Sequence, residues 1–110
     1  MSFLQTKKEQ TFQYNADYAR VFNAAVAMMQ QNPKFVLMMQ NPQTGVVSGE
    51  TRLNAMSWGE NLLVRIVPNA QGTCNVTFSS QMKYGIVSWG RNDKNIEAMI
   101  QGMNAQLGRF

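Results

Sequence analysis

Apolar side chains recur at spacings of three and four residues in two segments of the chain, a pattern typical of amphipathic helices that bury one face. The first stripe consists of Tyr18, Val21, Phe22, Ala25, Met28 and Met29, and the second consists of Ile96, Met99, Ile100, Met103 and Leu107. Each stripe covers only one side of its helix. Each helix is therefore predicted to pack against a neighbouring element along one side and to leave its other side exposed.

Residues with helix-capping and helix-breaking chemistry lie at the ends of these stripes. Asn15 or Asp17 precedes the first stripe and can accept a hydrogen bond from the first helical turn. The same helix must end just before Pro33, because proline disfavours the α conformation in the residue preceding it. Asn92 or Asp93 is predicted to start the second helix.

Five further segments alternate or are continuously apolar over short lengths, as strands do. The predicted strands cover residues 9–14, 35–40, 46–53, 62–67 and 73–79. The last is the clearest, with Cys74, Val76 and Phe78 on one face and Asn75 and Thr77 on the other. Turn residues separate the strands, including Pro and Gly in 41–45 and in 68–72.

The predicted order of elements is β-α-β-β-β-β-α. An antiparallel sheet that carries helices on one side buries one face of each such element. We therefore predict an α+β fold with two layers, in which a sheet of about five strands carries both helices on one face. The 110 residues suit one domain, predicted at 9–110 behind a flexible N-terminal arm at 1–8.

Charge and hydropathy narrow the classes of function. The net charge is +4, from ten basic and six acidic residues. The basic residues are scattered rather than clustered, which argues against nucleic acid as a partner. No apolar run reaches the roughly 18 residues of a membrane-spanning helix, and the N-terminus lacks the features of a secretory signal. We expect a soluble, cytoplasmic protein, although a signal removed before residue 1 would leave the same sequence.

The inventory of catalytic residues is small. The sequence has no histidine, one cysteine and no nucleophile-elbow, phosphate-loop or metal-binding cysteine motif. Cys74 is predicted to point into the core as inert packing. The prediction is a protein that is not an enzyme and that uses no cofactor and no metal. The alternative is an enzyme of unknown type that works through carboxylates with Lys83 or Arg91.

Two near-identical pentapeptides, Ser-Trp-Gly-Glu-Asn at 57–61 and Ser-Trp-Gly-Arg-Asn at 88–92, stand out along the chain. Their flanking patterns differ, so shared turn chemistry explains them better than an internal repeat does. Trp58 and Trp89 either cover an edge of the core or form a binding surface, to which Arg91 and Asn92 would belong.

Methionine is abundant, with nine residues in the chain. Flexible methionine side chains fill irregular gaps in cores, and they also line adaptable apolar grooves. Core packing is the simpler interpretation. The alternative is a groove lined by Met28, Met99 and Met103 that accepts an acyl chain, a small apolar molecule or a helix of a partner.

From Trp58 to Leu107 the sequence resembles a family of short bacterial domains of unknown function. The family pattern has an acidic pair and a V-V-V-R-V strand, then R-S-x-S-R-x-G-x-S-D-x-G-x-N-x-x-x-I before a C-terminal helix. Matching residues are Glu60, Asn61, the strand 62–66, Ser80, Lys83, Gly85, Gly90, Asn92 and Ile96. Ser79, Met82 and Ser88 depart from the pattern. The resemblance implies a shared strand-to-helix junction.

These observations predict a small non-catalytic binding domain. It would present a methionine-lined apolar groove or a tryptophan-containing surface to a protein or a hydrophobic ligand. Self-association is a further expectation, because the second face of the 62–67 strand carries Leu63 and Val67, and because an exposed sheet edge can pair with another copy.

Overall fold

A computed structural model of the protein describes residues 7–52, 59–83 and 90–108. Its elements are β1 (Lys7–Tyr14), α1 (Tyr18–Gln31), β2 (Phe35–Asn41), β3 (Val46–Thr51), β4 (Glu60–Pro68), β5 (Cys74–Met82) and α2 (Arg91–Leu107). The predicted order and the α+β class are confirmed. β1 begins two residues earlier than predicted, so Lys7 and Lys8 belong to the sheet, and the rest of the predicted arm lies outside the described residues.

The five strands form one sheet in the order β1-β5-β4-β3-β2, and all neighbouring strands are antiparallel. β1 therefore lies at one edge, paired with β5 along its whole length, and β2 lies at the other edge. A β-bulge between Leu37 and Met39 interrupts the pairing of β2 with β3. The bulge leaves Met38 largely exposed at that edge.

Both helices pack on the same face of the sheet, as predicted. The sheet contributes Val47, Leu62, Val64, Ile66, Val76 and Phe78 to the core, and the helices contribute Val21, Phe22, Ala25, Met28, Met29, Ile96, Met99 and Met103. Burying a large apolar side chain contributes roughly 1.5 to 3 kcal/mol. The two stripes read from the sequence are thus the surfaces that hold the two layers together.

The two helices begin differently. Asp17 caps α1 as predicted, and its Oδ1 accepts a hydrogen bond of 2.8 Å from the backbone N–H of Arg20. The prediction that Asn92 or Asp93 starts α2 is wrong. Gly90 occupies the N-cap with a φ of 79°, a conformation that favours glycine. The chain therefore turns into the helix early and places Asn92 inside the first turn.

Two glycines let α1 approach its neighbours closely. A Cβ atom on Gly49 of β3 would lie 2.7 Å from Sδ of Met29, and one on Gly102 of α2 would lie 2.4 Å from Cγ of Met28. Real Cβ atoms do not approach other heavy atoms so closely. The position of α1 against both β3 and α2 therefore depends on the absence of side chains at these sites.

Candidate binding groove between the helices

A groove of about 430 Å³ runs along the junction of α1 and α2, and we call it the interhelical groove. α2 lines it with Ala98, Gly102 and Ala105, whose spacing of four and three residues places them on one side of the helix. Met28 of α1 lies opposite and contacts Gly102. Small side chains on one helix and an adaptable thioether on the other give the groove an apolar floor.

Polar groups surround this floor. Nε2 of Gln106 donates a hydrogen bond of 2.7 Å to Oε1 of Gln31, which joins the two helices at the groove. The turn that follows α1 supplies Pro33 and the exposed Lys34. Nε of Arg52 donates a hydrogen bond of 2.8 Å to the carbonyl oxygen of Pro33. One end of the groove is therefore cationic.

The structure separates the three methionines predicted to line a groove. Met28 does line the interhelical groove, where its side chain is almost wholly covered by neighbouring groups. Met99 and Met103 are completely buried in the core against the sheet. They pack the interior rather than line a surface groove.

A buried polar cluster fixes the first turn of α2 to the sheet. Oγ of Ser80 donates to Oδ1 of Asn92 at 2.8 Å. Nδ2 of Asn95 donates to Oε1 of Glu60 at 2.8 Å and to Oγ of Ser80 at 3.1 Å. Glu60, Ser80 and Asn92 are three of the residues that matched the family pattern, and the fold brings them together. Their hydrogen bonds join α2 to β4 and β5.

The other predicted site residues have different surroundings. Arg91 is the first residue of α2 and is partly exposed, whereas Asn92 is completely buried. Nζ of Lys83 pairs with Oε1 of Glu50 at 2.8 Å. Trp58 and Trp89 lie outside the described residues. A tryptophan-containing surface therefore stays a prediction.

A second depression, of about 340 Å³, lies on the face of the sheet away from the helices. Its lining mixes polar and apolar groups, with Ser48, Asn61 and Ser79 around the half-buried Leu63. Val67 of β4 is also exposed on this face. This surface is the one expected to serve self-association.

The described residues include the cysteine and all the side-chain carboxylates that nucleophilic or metal chemistry could use. No group of three or more His, Cys, Asp or Glu side chains converges in 7–52, 59–83 and 90–108. Cys74 is completely buried, with its Sγ 3.5 Å from the carbonyl oxygen of Ala16. Burial raises the pKa of the Cys74 thiol, and the charge of Asp17 adds to the rise. The thiol therefore stays protonated at neutral pH, as inert packing would.

No family model and no curated protein matches the sequence, whereas solved structures do match the fold. Norcoclaurine synthase from Thalictrum flavum aligns at 8% identity and a TM-score of 0.63, over 93% of this chain and 94% of that chain. Ara h 8.0201 aligns at 10% identity and a TM-score of 0.61, over 94% and 98%. The Zhui aromatase/cyclase from Streptomyces sp. R1128 aligns at 7% identity and a TM-score of 0.54, over 91% and 84%.

These structures have the Bet v1-like fold, and the fold of this chain is similar to theirs. At such low identities the likeness extends to the fold alone. The matched structures include enzymes, so the predicted absence of catalysis is not decided by the Bet v1-like fold. In the described part of the chain, neither helix combines the length and the apolar character needed to cross a membrane.

Most residues that line the groove were not predicted from the sequence. Ala98, Gly102 and Ala105 carry a detectable signal, because small residues at helical spacing next to a buried stripe indicate close packing of helices. Lys34 carries no such signal. Its place at the groove follows from the turn after α1, which only the three-dimensional arrangement reveals.

Proposed function

We propose that the protein is a non-catalytic binding domain that takes up a small hydrophobic ligand in the interhelical groove. The observation that carries this proposal is the apolar floor formed by Met28, Ala98, Gly102 and Ala105. Small-molecule sites typically have volumes of roughly 300 to 1,000 Å³ and combine apolar lining with a few polar groups. The volume and the lining of the groove fit that description.

The fold supports the class of ligand. Proteins with the Bet v1-like fold bind hydrophobic ligands, and one structure of norcoclaurine synthase holds dopamine and hydroxybenzaldehyde. In this chain the space between α2 and the sheet is filled by the completely buried side chains of Phe78, Met99 and Met103. A ligand there would have to displace core side chains, whereas the interhelical groove is already open to solvent.

The alternative, an enzyme that uses carboxylates with Lys83 or Arg91, draws its support from norcoclaurine synthase and the aromatase/cyclase. The best-placed acid is the buried carboxylate of Glu60, which already accepts hydrogen bonds from Asn95 and Thr51. Lys83 is already paired with Glu50. Groups engaged in this way are poorly placed to exchange protons with a substrate, so we favour binding over catalysis.

Filling the groove tests the proposal. Ala105 is exposed at the groove, so Ala105→Leu adds bulk there without disturbing the core, and leucine is a good helix former. We expect this variant to bind N-phenyl-1-naphthylamine, a neutral apolar probe, at least tenfold more weakly than the unaltered protein. Probe fluorescence in a titration measures the change.

Ala19→Leu is the matched control, because Ala19 is an exposed alanine in the first turn of α1, away from the groove. We expect it to bind the probe as the unaltered protein does. Equal affinity of all three proteins would contradict a site in the groove, and so would the absence of any probe binding.

A further inference from the structure

We infer that the ligand of the interhelical groove is a single-chain amphiphile with an anionic head group, whose charge is met by Lys34 at the cationic end. This inference rests on the proposed function and adds the chemical class of the ligand. It follows from the positive charge of Lys34, the one charged side chain among the described lining residues, and from the apolar floor beside it.

The lining of the groove carries a positive charge. Lys34 is the only charged residue among those that line the groove in the described part of the chain. It is exposed, and the ion pairs among described residues join Lys7 to Glu9, Lys8 to Asp93 and Lys83 to Glu50, which leaves Lys34 without a carboxylate partner.

Arg52 lies next to Lys34. The backbone N–H of Arg52 donates a hydrogen bond of 2.9 Å to the carbonyl oxygen of Lys34, and its side chain donates to Pro33. These bonds place a second positive charge close to the same end. Glu97, the acid closest to Ala98 in sequence, is not a lining residue, and it accepts a hydrogen bond from Gln101.

The apolar floor of the groove would hold the hydrocarbon tail of the ligand. Besides Lys34, the lining includes the apolar groups of Met28, Ala98, Gly102 and Ala105. A hydrocarbon chain can cover this floor while its charged end stays in water beside the lysine. The volume of about 430 Å³ lies in the lower part of the range for small-molecule sites, which suits one chain better than two.

Three probes with an unbranched chain of ten carbons, counting the carboxylate carbon of decanoate, separate the contributions of head and tail: decanoate, 1-decanol and decyltrimethylammonium. Calorimetric titration below the micelle-forming concentration gives each affinity. We expect decanoate to bind most tightly and the cation most weakly. An exposed ion pair contributes about 0.2 to 1 kcal/mol, so Lys34→Gln should weaken decanoate binding by a factor of about 1.4 to 5 and leave 1-decanol binding unchanged.

Lys94→Gln is the matched control, because it removes the same charge from an exposed site on α2 that does not line the groove. Equal weakening by both substitutions would overturn the role of Lys34. So would equal binding of decanoate and 1-decanol with no effect of Lys34→Gln, although the proposed function would then stand. Failure of all three probes to bind would overturn both proposals.

Discussion

At the scale of single residues, Cys74 shows how burial sets the chemistry of a side chain. It begins β5 opposite Tyr14 of β1, and no part of it is exposed. Burial raises the pKa of its thiol from the ordinary value of 9.0, and the nearby charge of Asp17 raises it further. The Cys74 thiol therefore ionises at a lower pH in the unfolded chain than in the folded protein.

This difference predicts a dependence of stability on pH. Well below pH 9 both states keep the thiol proton, so Cys74 adds almost no pH dependence there. Above that pH the unfolded state loses the proton first, so the free energy of unfolding falls by up to about 1.4 kcal/mol per pH unit until the folded thiol ionises. Urea unfolding of the unaltered protein and of Cys74→Ala at pH 8 and pH 10 measures this effect.

At pH 8 we expect Cys74→Ala to be less stable than the unaltered protein, because the substitution leaves a cavity. Between pH 8 and pH 10, however, it should lose less stability than the unaltered protein does. Asp17→Asn keeps a residue that caps α1 well while removing the neighbouring charge, so its loss should be intermediate. Identical losses in all three proteins would contradict the raised pKa.

The alternation of β5 allowed its buried residues to be predicted from sequence, with one exception. Cys74, Val76 and Phe78 are in the core as predicted, but Ser79, expected on a wet face, is also almost completely buried. Ser79 lies between Leu63 of β4 and Glu9 of β1. Side chains from both neighbouring strands cover it, and such cover depends on strand order, which alternation does not encode.

At the scale of elements, the buried polar cluster fixes where α2 begins. Ser80, Asn92, Asn95 and Glu60 join the helix to two strands through hydrogen bonds, and Ser80, Asn92 and Glu60 are buried. A buried polar group that loses its partner keeps the full cost of desolvation, about 1 to 3 kcal/mol. The cluster therefore specifies one docking position for the helix.

We predict that Asn92→Ala lowers the free energy of unfolding by about 1 to 3 kcal/mol, because the hydroxyl of Ser80 loses its acceptor. Asn61→Ala is the control, since Asn61 lies exposed on the opposite face of β4, and its effect should stay within about 0.5 kcal/mol. Urea unfolding measures both. Equal effects of the two substitutions would contradict a structural role for the cluster.

The element types and their order could be predicted because most elements bury one face and so carry a clear period. The β-bulge at Met38 and the start of α2 at Arg91 could not. A bulge changes the register without changing the residue pattern. The start of α2 depends on Gly90 and on the partner that Asn92 finds in the sheet.

At the scale of the whole molecule, methionines of the two helical stripes have two different kinds of surroundings. Met28, Met99 and Met103 all lie on predicted helical stripes, yet only Met28 lines a surface groove. The difference arises because α2 presents Gly102 to α1 and its methionines to the sheet. Which side of a helix meets which neighbour is decided by the packing of both layers, so the groove could not be predicted from the stripes.

The most direct test of ligand binding between the helices uses protein labelled with ¹³C at the methionine methyl groups and titrated with decanoate. We predict that the Met28 methyl resonance shifts in proportion to occupancy, while those of Met99 and Met103 stay nearly unchanged. Assignment by single Met→Leu substitutions identifies each signal. Larger shifts at Met99 and Met103 than at Met28 would place the ligand in the core and contradict the account.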